Sequence, residues 1–490
     1  GVYNIVGDIR AADGGILTLD LAEGSRFEGK AVLDSGNDSQ STLTMAKNSL
    51  WTLTGNSQLN SLQNEQSVID MTGDNKAFST LSVETLTGNG GTIIMDIDGS
   101  QVDASDKIYV TGDFSGSQTL SLKEINGLDS DPGIGQAAEN TVLASVNGSG
   151  TFTADDQEGT LYWQRYELGQ KDSAASGYTT DWYLKGITNL NLPTTSVEAI
   201  AASGALAYHT WRDHDQLLQR LGDLRQHGRE EEGVWVRVKG GKLSRSDQFE
   251  FENKYTQYEL GYDQKLKSTP AYTRYAGISF SYLDGDSSYS SGSGENKVKA
   301  LNIYGTQIGA KGHYLDLVLK YSQLDNDFKV FDTSGNKITG DYDQNGLSIS
   351  AEYGRKNNLK NNWYIEPQAQ LTFGRLRGTD YTTSNGIRVD QDGIDSFVGR
   401  IGFNIGKDIN EKTNIYLKAN LMHEFGGGYN ASMVDASGTK ARLDRDFDDT
   451  WFEYGLGAAV QTGKNNYFYV DVERSAGSDY KKDWQWNVGA

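Results

Sequence analysis

Residues 233–490 repeat one pattern that few folds allow, in which apolar and polar side chains alternate over long stretches. The segment "GVWVRVKGG" (233–241) opens the pattern and separates one face from the other: Val234, Val236 and Val238 against Trp235, Arg237 and Lys239. Successive side chains of a strand point to opposite faces. One face of this strand is therefore apolar and the other is polar and charged, so the two faces meet different surroundings.

Later stretches repeat the alternation, among them "LSISAEYG" (347–354), "NIYLKANLMHEF" (414–425) and "NYFYVDVERS" (466–475). Their polar faces carry charged residues: Glu352, Lys418, Glu424, Asp471 and Glu473. The pattern indicates about twelve strands paired as hairpins. Short connections such as "GKNN" (463–466) alternate with long polar ones such as "DGDSSYSSGSGEN" (284–296), and many strand ends carry Tyr or Trp.

Period-two alternation, aromatic strand ends and alternating short and long connections are typical of an outer-membrane β-barrel. A closed sheet leaves no unpaired edge, as lipid requires. We therefore predict a twelve-stranded antiparallel transmembrane barrel whose valine face meets lipid. The predicted lumen-facing residues are Trp235, Arg237, Lys239, Glu352, Lys418, Glu424, Asp471 and Glu473. A soluble sandwich also alternates, but rarely with so many strands of ten or more residues.

Residues 1–187 show a different pattern of short strands separated by Asn, Ser and Gly. Apolar residues recur in bursts at a spacing of roughly 20 residues, which suits the coils of a β-solenoid. We expect Trp51, Trp163 and Trp182 in its core. A β-sandwich of many short strands is the alternative.

Residues 196–228 predict a helix, with Ser196 as N-cap and Gly228 at its end. Gly204 and Gly222 weaken it by about 1 kcal/mol each. At ~1.5 Å per residue its length is about 50 Å, longer than a bilayer core of ~30 Å. Its polar surface excludes contact with lipid, so it lies in water, against protein or inside a water-filled lumen.

The amino-acid composition of the chain excludes several classes of function. The chain has 490 residues, no Cys and a formal net charge of −21. Residues 1–195 hold 10 Lys and Arg against 26 Asp and Glu, which argues against binding nucleic acid through its phosphates. Disulfides and cysteine-ligated zinc are excluded. The sequence has no apolar run long enough for a transmembrane helix and no signal peptide. Patterned sequence reaches residue 1, so we expect further residues before it.

Four motifs resemble the type Va autotransporters: "RLGDLR" (220–225), "IEPQAQLTFG" (365–374), "MVDASGTKARLDRDFDDTW" (433–451) and "WQWNVGA" (484–490). The front half resembles the end of a pertactin-like passenger, the exported part of an autotransporter. Its motifs are "FSTLSVETLTGNGGTIIMDID" (78–98), "DKIYVTGDFSGSQTLSLKEIN" (106–126) and "DWYLKGI" (181–187). Barrels of this family usually end in an aromatic residue, whereas this chain ends at Ala490.

The resemblance implies an all-β chain: a right-handed β-helix stub (1–77), an autochaperone region (78–187), a linker with a helix through the lumen (188–232) and the barrel (233–490). It implies that the barrel anchors and translocates its own passenger, with the barrel in the outer membrane and the passenger at the cell surface. The implied partners are outer-membrane lipid, the barrel-assembly machinery, periplasmic chaperones and a host or cell-surface ligand. An adhesin is the expected function. The alternatives are a passenger enzyme whose catalytic part lies outside these residues, and a diffusion porin.

We expect no enzyme, cofactor or metal site in these residues. The five His are His209, His214, His227, His313 and His423, so residues 1–187 cannot supply a Ser-His-Asp triad. Asp96 and Asp98 share a strand face and could act as paired carboxylates, but solvated positions are the simpler interpretation. "MDIDGSQVDASD" (95–106) is similar to a calcium loop without its final Glu.

The linker junction is predicted to stay uncut. Some serine-protease autotransporters cut their linker inside the lumen, where an Asn side chain attacks its own carbonyl seven residues before the Leu-Arg of a similar signature. Here those positions are Asp215 and Gln216. A carboxylate lacks the amide nitrogen that closes a succinimide.

Overall fold

The computed structural model describes residues 1–490 except 35, 37, 74–76, 126–133, 222–231 and 464–465. The chain divides into two compact units, Gly1–Thr194 and Thr195–Ala490. The described residues contain no helix that is both long enough and apolar enough to cross a membrane.

The first unit consists of short strands. They are β1 (Asn4–Val6), β2 (Ile9–Ala11), β3 (Ile16–Leu21), β4 (Arg26–Glu28), β5 (Ala31–Leu33), β6 (Gln40–Met45), β7 (Leu50–Thr52), β8 (Ser57–Asn64), β9 (Val68–Asp70), β10 (Thr80–Thr87), β11 (Asn89–Ile97), β12 (Lys107–Phe114), β13 (Ser117–Glu124), β14 (Val142–Gly148), β15 (Thr151–Ala154), β16 (Gln157–Glu158), β17 (Tyr162–Asp172) and β18 (Thr180–Pro193), with a 3-10 turn at Gln136–Ala138.

Successive coils stack most of these strands in parallel, whereas β16, β17 and β18 pair antiparallel at the end of the second sheet. One sheet has the order β1-β4-β7-β9-β11-β13-β15, and a second has the order β16-β17-β18-β14-β12-β10-β8-β6-β3. Equivalent residues of neighbouring coils lie over one another, as in the column Phe27, Trp51, Ile69, Ile93 and Leu120. The predicted β-solenoid is confirmed. Its core is a continuous apolar column between the sheets.

Two of the three predicted core tryptophans are buried. Trp51 is fully buried, stacks on Phe27 with ring centroids 5.7 Å apart and donates its indole N–H to the Gly29 carbonyl at 2.9 Å. Trp182 is buried with its ring edge-on to Phe152. Trp163 is only half-buried, because it points to the opposite face of β17 from Tyr166, which enters the core.

The second unit contains the helices α1 (Thr195–Arg212) and α2 (Leu217–Leu221) and seventeen strands. The strands are β19 (Glu232–Arg245), β20 (Phe251–Ser268), β21 (Tyr272–Tyr289), β22 (Gly292–Gly309), β23 (His313–Phe331), β24 (Lys337–Arg355), β25 (Asn357–Asn358), β26 (Trp363–Leu376), β27 (Thr379–Thr382), β28 (Arg388–Gln391), β29 (Ile394–Asn410), β30 (Thr413–Glu424), β31 (Gly428–Val434), β32 (Lys440–Asp446), β33 (Asp449–Gln461), β34 (Tyr467–Ala476) and β35 (Tyr480–Gly489), with a 3-10 turn at Lys360–Asn362.

Twelve long strands close into an antiparallel barrel, which confirms the predicted fold class. The sheet runs β24-β23-β22-β21-β20-β19-β35-β34-β33-β30-β29-β26, and β26 pairs with β24 to complete the ring. In β19, Val234 and Val236 are 70% and 50% exposed on the outer surface, whereas Trp235 and Arg237 are 3% and 2% exposed inside. The outer face is thus apolar and the interior is polar.

The stretch 284–296, expected as a long connection, is largely strand. β21 continues to Tyr289 and β22 begins at Gly292, so the prediction of a loop is wrong there. Both faces of the hairpin are polar in this stretch, so the apolar alternation that marks a strand in lipid disappears although the backbone pairing continues.

The predicted single helix over 196–228 is also wrong in part. α1 ends at Arg212, residues 213–216 are not helical, and α2 begins at Leu217. Residues 222–228, with Gly222, Gly228 and most of "RLGDLR", lie outside the described residues. The side chains at the break bind the barrel wall, and these contacts replace the regular helix.

Asp96 gives the first unit a testable dependence on pH. It is 6% exposed in β11, and burial, with the nearby charge of Asp70, raises its pKa to about 6. The folded state therefore holds this proton more tightly than the unfolded state, whose carboxyl has a pKa near 3.8. The resulting stability is fully present below pH 3.8 and is lost as the pH rises to about 6.

We predict that the free energy of unfolding of the first unit falls by about 1–2 kcal/mol between pH 4 and 6.5. Asp96→Asn should reduce that slope without abolishing it, because burial also raises the pKa of the neighbouring Asp106 to about 7. The same exchange at exposed Asp20 should leave the slope in place. Denaturant titrations of the full chain in detergent, read by tryptophan fluorescence and limited proteolysis of the first unit, measure it. An unchanged slope in Asp96→Asn contradicts the assignment.

Candidate functional site: the linker inside the barrel

Helix α1 begins among apolar side chains at one end of the barrel, called the α1 end below. Tyr429 and Phe447 pack around it. Tyr429 lies in β31 and Phe447 follows β32, and both strands belong to a small sheet of the order β27-β28-β31-β32. A Cβ at Gly204 would lie 2.8 Å from the Tyr429 ring, so glycine permits this close approach. The Ser203 and Tyr342 hydroxyls are 2.7 Å apart. The small side chain at position 204 thus serves packing against the wall, although glycine weakens a helix.

The last turn of α1 changes from apolar to charged contacts. The Tyr208 hydroxyl donates to Glu424 at 2.6 Å, and Arg212 lies 3.4 Å from the same carboxylate. The Arg212 guanidinium also stands 4.6 Å from the centre of the Trp451 ring. His209 stacks on Tyr480 at 4.3 Å. The wall therefore supplies a carboxylate for Arg212 and aromatic rings that contact both Arg212 and His209.

The break between the helices carries two carboxylates, and three cations of the wall hold them. Asp215 is 2.6 Å from Arg237 and 3.1 Å from Lys239. Asp213 is 3.3 Å from Lys239 and 3.1 Å from Lys482. Lys239 joins the two carboxylates, so residues 213–215 are bound to β19 and β35 together.

Helix α2 makes further polar contacts with the wall. The Leu217 N–H donates to Glu352 at 2.8 Å, and Gln219 donates to Glu473 at 2.8 Å. The Nη2 atom of Arg220 donates to both carboxylate oxygens of Asp316, at 2.8 and 2.9 Å. The Gln219 carbonyl accepts from Asn487 at 2.7 Å. The linker is thus fixed to strands on several sides of the lumen.

The wall also neutralises charge within itself. Lys418 is 2.6 Å from both Asp471 and Glu473, and Lys482 is 3.6 Å from Glu453 and contacts Glu473. A buried charge left without its partner costs about 3–5 kcal/mol. The lumen therefore holds several groups of paired opposite charges rather than side chains of one sign.

Comparisons with known proteins match both units. The autotransporter β-domain family model matches residues 234–473, and the pertactin family model matches residues 59–186. The chain belongs to the autotransporters. Its outer-membrane barrel and its passenger part follow from the same two matches. Some further matches are named as serine protease autotransporters.

The chain is 28% identical to the probable autotransporter YcgV of Escherichia coli K12, over 95% of this chain and 51% of that protein. It is 28% identical to the pertactin autotransporter of Bordetella bronchiseptica, over 98% of this chain and 56% of that protein. The chain spans about half the length of these curated relatives. The crystal structure of the β domain of the Bordetella autotransporter BrkA is 26% identical, with a TM-score of 0.43, over 53% of this chain and 98% of that one.

The predicted lumen-facing residues of this autotransporter all lie buried inside the barrel: Trp235, Arg237, Lys239, Glu352, Lys418, Glu424, Asp471 and Glu473. Five of them contact the linker: Arg237, Lys239, Glu352, Glu424 and Glu473. Trp235 instead donates to the Tyr304 hydroxyl at 2.9 Å, while Lys418 and Asp471 pair with each other.

Sequence reasoning missed Asp213, Lys482 and Asp316. No pattern in the sequence marked Asp213 as a functional residue, because its partners Lys239 and Lys482 lie on barrel strands that are separate from the linker in the sequence. Lys482 precedes a β-bulge: Lys242 pairs with Trp484 and Leu243 with Lys482, which leaves Asp483 without a partner residue across the ladder. The bulge shifts the alternation of β35, so the face of Lys482 could not be assigned from the sequence.

Several described carboxylates of the passenger part contact their own chain. The Asp106 carboxylate accepts hydrogen bonds from the backbone N–H groups of Ser79 and Asp96 at 2.6 and 2.7 Å. The Asp98 carboxylate accepts a hydrogen bond from the Ser100 hydroxyl. Asp156 pairs with Arg165 at 2.9 Å. Among the described residues, no group of three or more His, Cys, Asp or Glu is arranged to hold a metal ion. These carboxylates bind their own backbone and neighbours.

We predict that Lys482→Met destabilises the barrel by about 3–5 kcal/mol, because Asp213 and Glu473 lose a buried partner. Lys481→Met, the next residue on the outer face of the same strand, should cost less than about 0.5 kcal/mol. Guanidinium unfolding in phosphatidylcholine vesicles, with gel mobility of unheated samples as the check for folding, compares them. Equal stability of the two variants would contradict the role of the network.

Proposed function

We propose that this chain displays an adhesin-like passenger that stays covalently joined to its barrel. The observation that carries the proposal is the position of Asp215, which occupies the linker junction with its two carboxylate oxygens 2.6 Å from Arg237 and 3.1 Å from Lys239. Both cations are buried and stand on the first barrel strand.

Cleavage of a linker by cyclisation requires a side-chain nucleophile that is free to attack its own carbonyl. The contact with two cations favours the ionised carboxylate of Asp215, and its oxygens already accept these ion pairs. It has no amide nitrogen to close the ring. The Asp215 carbonyl accepts from Gln370 at 3.4 Å, and the Gln216 N–H donates to Gln219 at 3.1 Å. At 3.4 Å the Gln370 amide polarises the Asp215 carbonyl only weakly, so the obstacle to cleavage is the Asp215 side chain.

We predict that mass spectrometry of the outer-membrane protein finds no barrel fragment beginning at Gln216. The double exchange Asp215→Asn with Gln216→Asn introduces the amide chemistry and tests whether this lumen supports it. Ser203→Asn is the matched control, an Asn placed elsewhere in the linker. A fragment that begins at Gln216 in the parent protein refutes the proposal of a retained passenger.

Two features support binding rather than catalysis by the passenger part. Residues 1–187 contain no His, and the carboxylates of Asp98, Asp106 and Asp156 contact groups of their own chain. The identity of the passenger's ligand is a property of the whole protein, because this chain spans only about half the length of its relatives.

Cells of a non-adherent Escherichia coli strain that display the full-length protein should aggregate or attach to epithelial cells more than cells displaying residues 195–490 alone. Equal attachment by both contradicts the adhesin proposal without affecting the proposal of retention.

We also propose that residues 78–187 fold first and template residues 1–77. Solenoid packing is local, so folding propagates from one end. The antiparallel hairpin β17-β18 covers the end of the sheet at β14, which protects an edge that would otherwise stay open. Barrel insertion by the assembly machinery, with periplasmic chaperones before it, belongs to the same proposal.

Trp182→Ala should slow the appearance of a protease-resistant passenger on cells, because Trp182 closes the core against Phe152 at a centroid distance of 5.5 Å. Loss of a buried Trp costs about 3–5 kcal/mol. Trp163→Ala, at a half-buried position in the same hairpin, should have a smaller effect. Pulse-labelled cells treated with protease at intervals give the rates. Identical rates for Trp182→Ala and the parent would remove the template role.

A further inference from the structure

A deep apolar cleft of about 660 Å³ lies on the outer wall of the barrel, across β29, β30, β33, β34 and β35. Its walls include Phe403, Leu417, Tyr454 and Trp486. The cleft exists because Ala419 stands directly between Phe403 and Tyr454 on the neighbouring strands. A methyl group between two rings leaves a hollow in a surface that is otherwise convex.

A second cleft, of about 570 Å³, continues toward the α1 end and shares Arg474 and Trp484 with the first. Its walls are polar. Lys242 pairs there with Glu252 at 2.9 Å and Asp483 at 3.7 Å. The two clefts together form one site. The apolar cleft over Ala419 is called the lower cleft, and the charged cleft nearer the α1 end is called the upper cleft.

The upper cleft follows from the local pairing of β34 and β35. Their ladder ends at the pair Glu473 and Gln485. Beyond it, the Lys482 N–H donates to the Ser475 hydroxyl at 2.6 Å. The bulge at Asp483 places Trp484 on the outer surface, where it is 42% exposed. Bulges often redirect side chains at functional sites.

Two cations of the upper cleft are not used by the protein. Arg474 and Lys481 are exposed on the outer face, and in the described part of the chain neither forms an ion pair. The carboxylates of Glu252 and Asp483 are already engaged by Lys242, and Glu250 lies at the rim. A free cation pair directly above an apolar cleft is complementary to a phosphate attached to acyl chains.

We propose that this site binds one phosphorylated glycolipid of the outer leaflet, the lipid A part of lipopolysaccharide. An acyl chain fills the apolar cleft over Ala419, and a phosphate binds Arg474 and Lys481. Helix α1 begins at Thr195, the residue at which the chain continues from the exported passenger part. The α1 end therefore faces the cell exterior, which places the two cations at the level of the outer headgroups.

The test uses the full chain, purified in detergent and incubated with diphosphorylated lipid A, with phosphatidylethanolamine in parallel. Native mass spectrometry counts bound lipid. We expect one lipid A per chain, and about thirtyfold weaker binding for Arg474→Ala with Lys481→Ala, at about 1 kcal/mol per cation. Lys329→Ala removes an exposed cation on β23, across the barrel, and should bind as the parent does.

Ala419→Leu tests the apolar cleft separately. It fills the hollow from the outer face and should also weaken binding of lipid A, while gel mobility of unheated protein verifies the fold. Equal binding of lipid A by the parent and the double Ala variant overturns the proposal. So does equal binding of phosphatidylethanolamine and lipid A by the parent, which would mean ordinary contact with membrane lipid.

Discussion

The structure depends on the neutralisation of charge inside a closed barrel. The lipid-exposed part of each strand must present an apolar face to lipid, so most polar residues of that part point into one narrow space. Charges buried there are costly unless each has a partner. The linker supplies part of these partners: Asp213 and Asp215 for the cations of β19 and β35, and Arg220 for Asp316. The linker and the wall therefore stabilise each other.

The same constraint accounts for the shape of the linker. A continuous helix would carry residues 213–216 past the wall in regular succession. Instead the chain leaves the helical conformation where Lys239 can reach both Asp213 and Asp215, and resumes it at Leu217, whose N–H finds Glu352. Without Asp213 and Asp215, Lys239 would be a buried charge that has lost both of these ion-pair partners, at a cost of about 3–5 kcal/mol. That cost exceeds the loss of a few helical hydrogen bonds, each of which contributes about 1 kcal/mol.

The sequence was sufficient where one periodicity decides the structure. Alternation in β19 and β34 assigned Arg237, Lys239 and Glu473 to the interior, because a strand has only two faces. It was insufficient where a single residue shifts that periodicity, as the bulge at Asp483 does for Lys482. It also could not place the break after Arg212, because the wall residues that bind Asp213 and Asp215 lie 22 to 269 positions further along the chain. Trp163 shows the same limit in the solenoid, where β17 turns one Trp outward and Tyr166 inward.

The central claim is that ion pairs between linker and wall fix the linker in the lumen. A double-mutant cycle on Asp215→Ala and Arg237→Ala, measured as free energies of unfolding in phosphatidylcholine vesicles, tests it most directly. Since Glu259 loses Arg237 in both variants that lack it, its contribution cancels in the cycle. The account predicts a coupling energy of at least about 1.5 kcal/mol between the two residues. Additive effects within about 0.3 kcal/mol would contradict it.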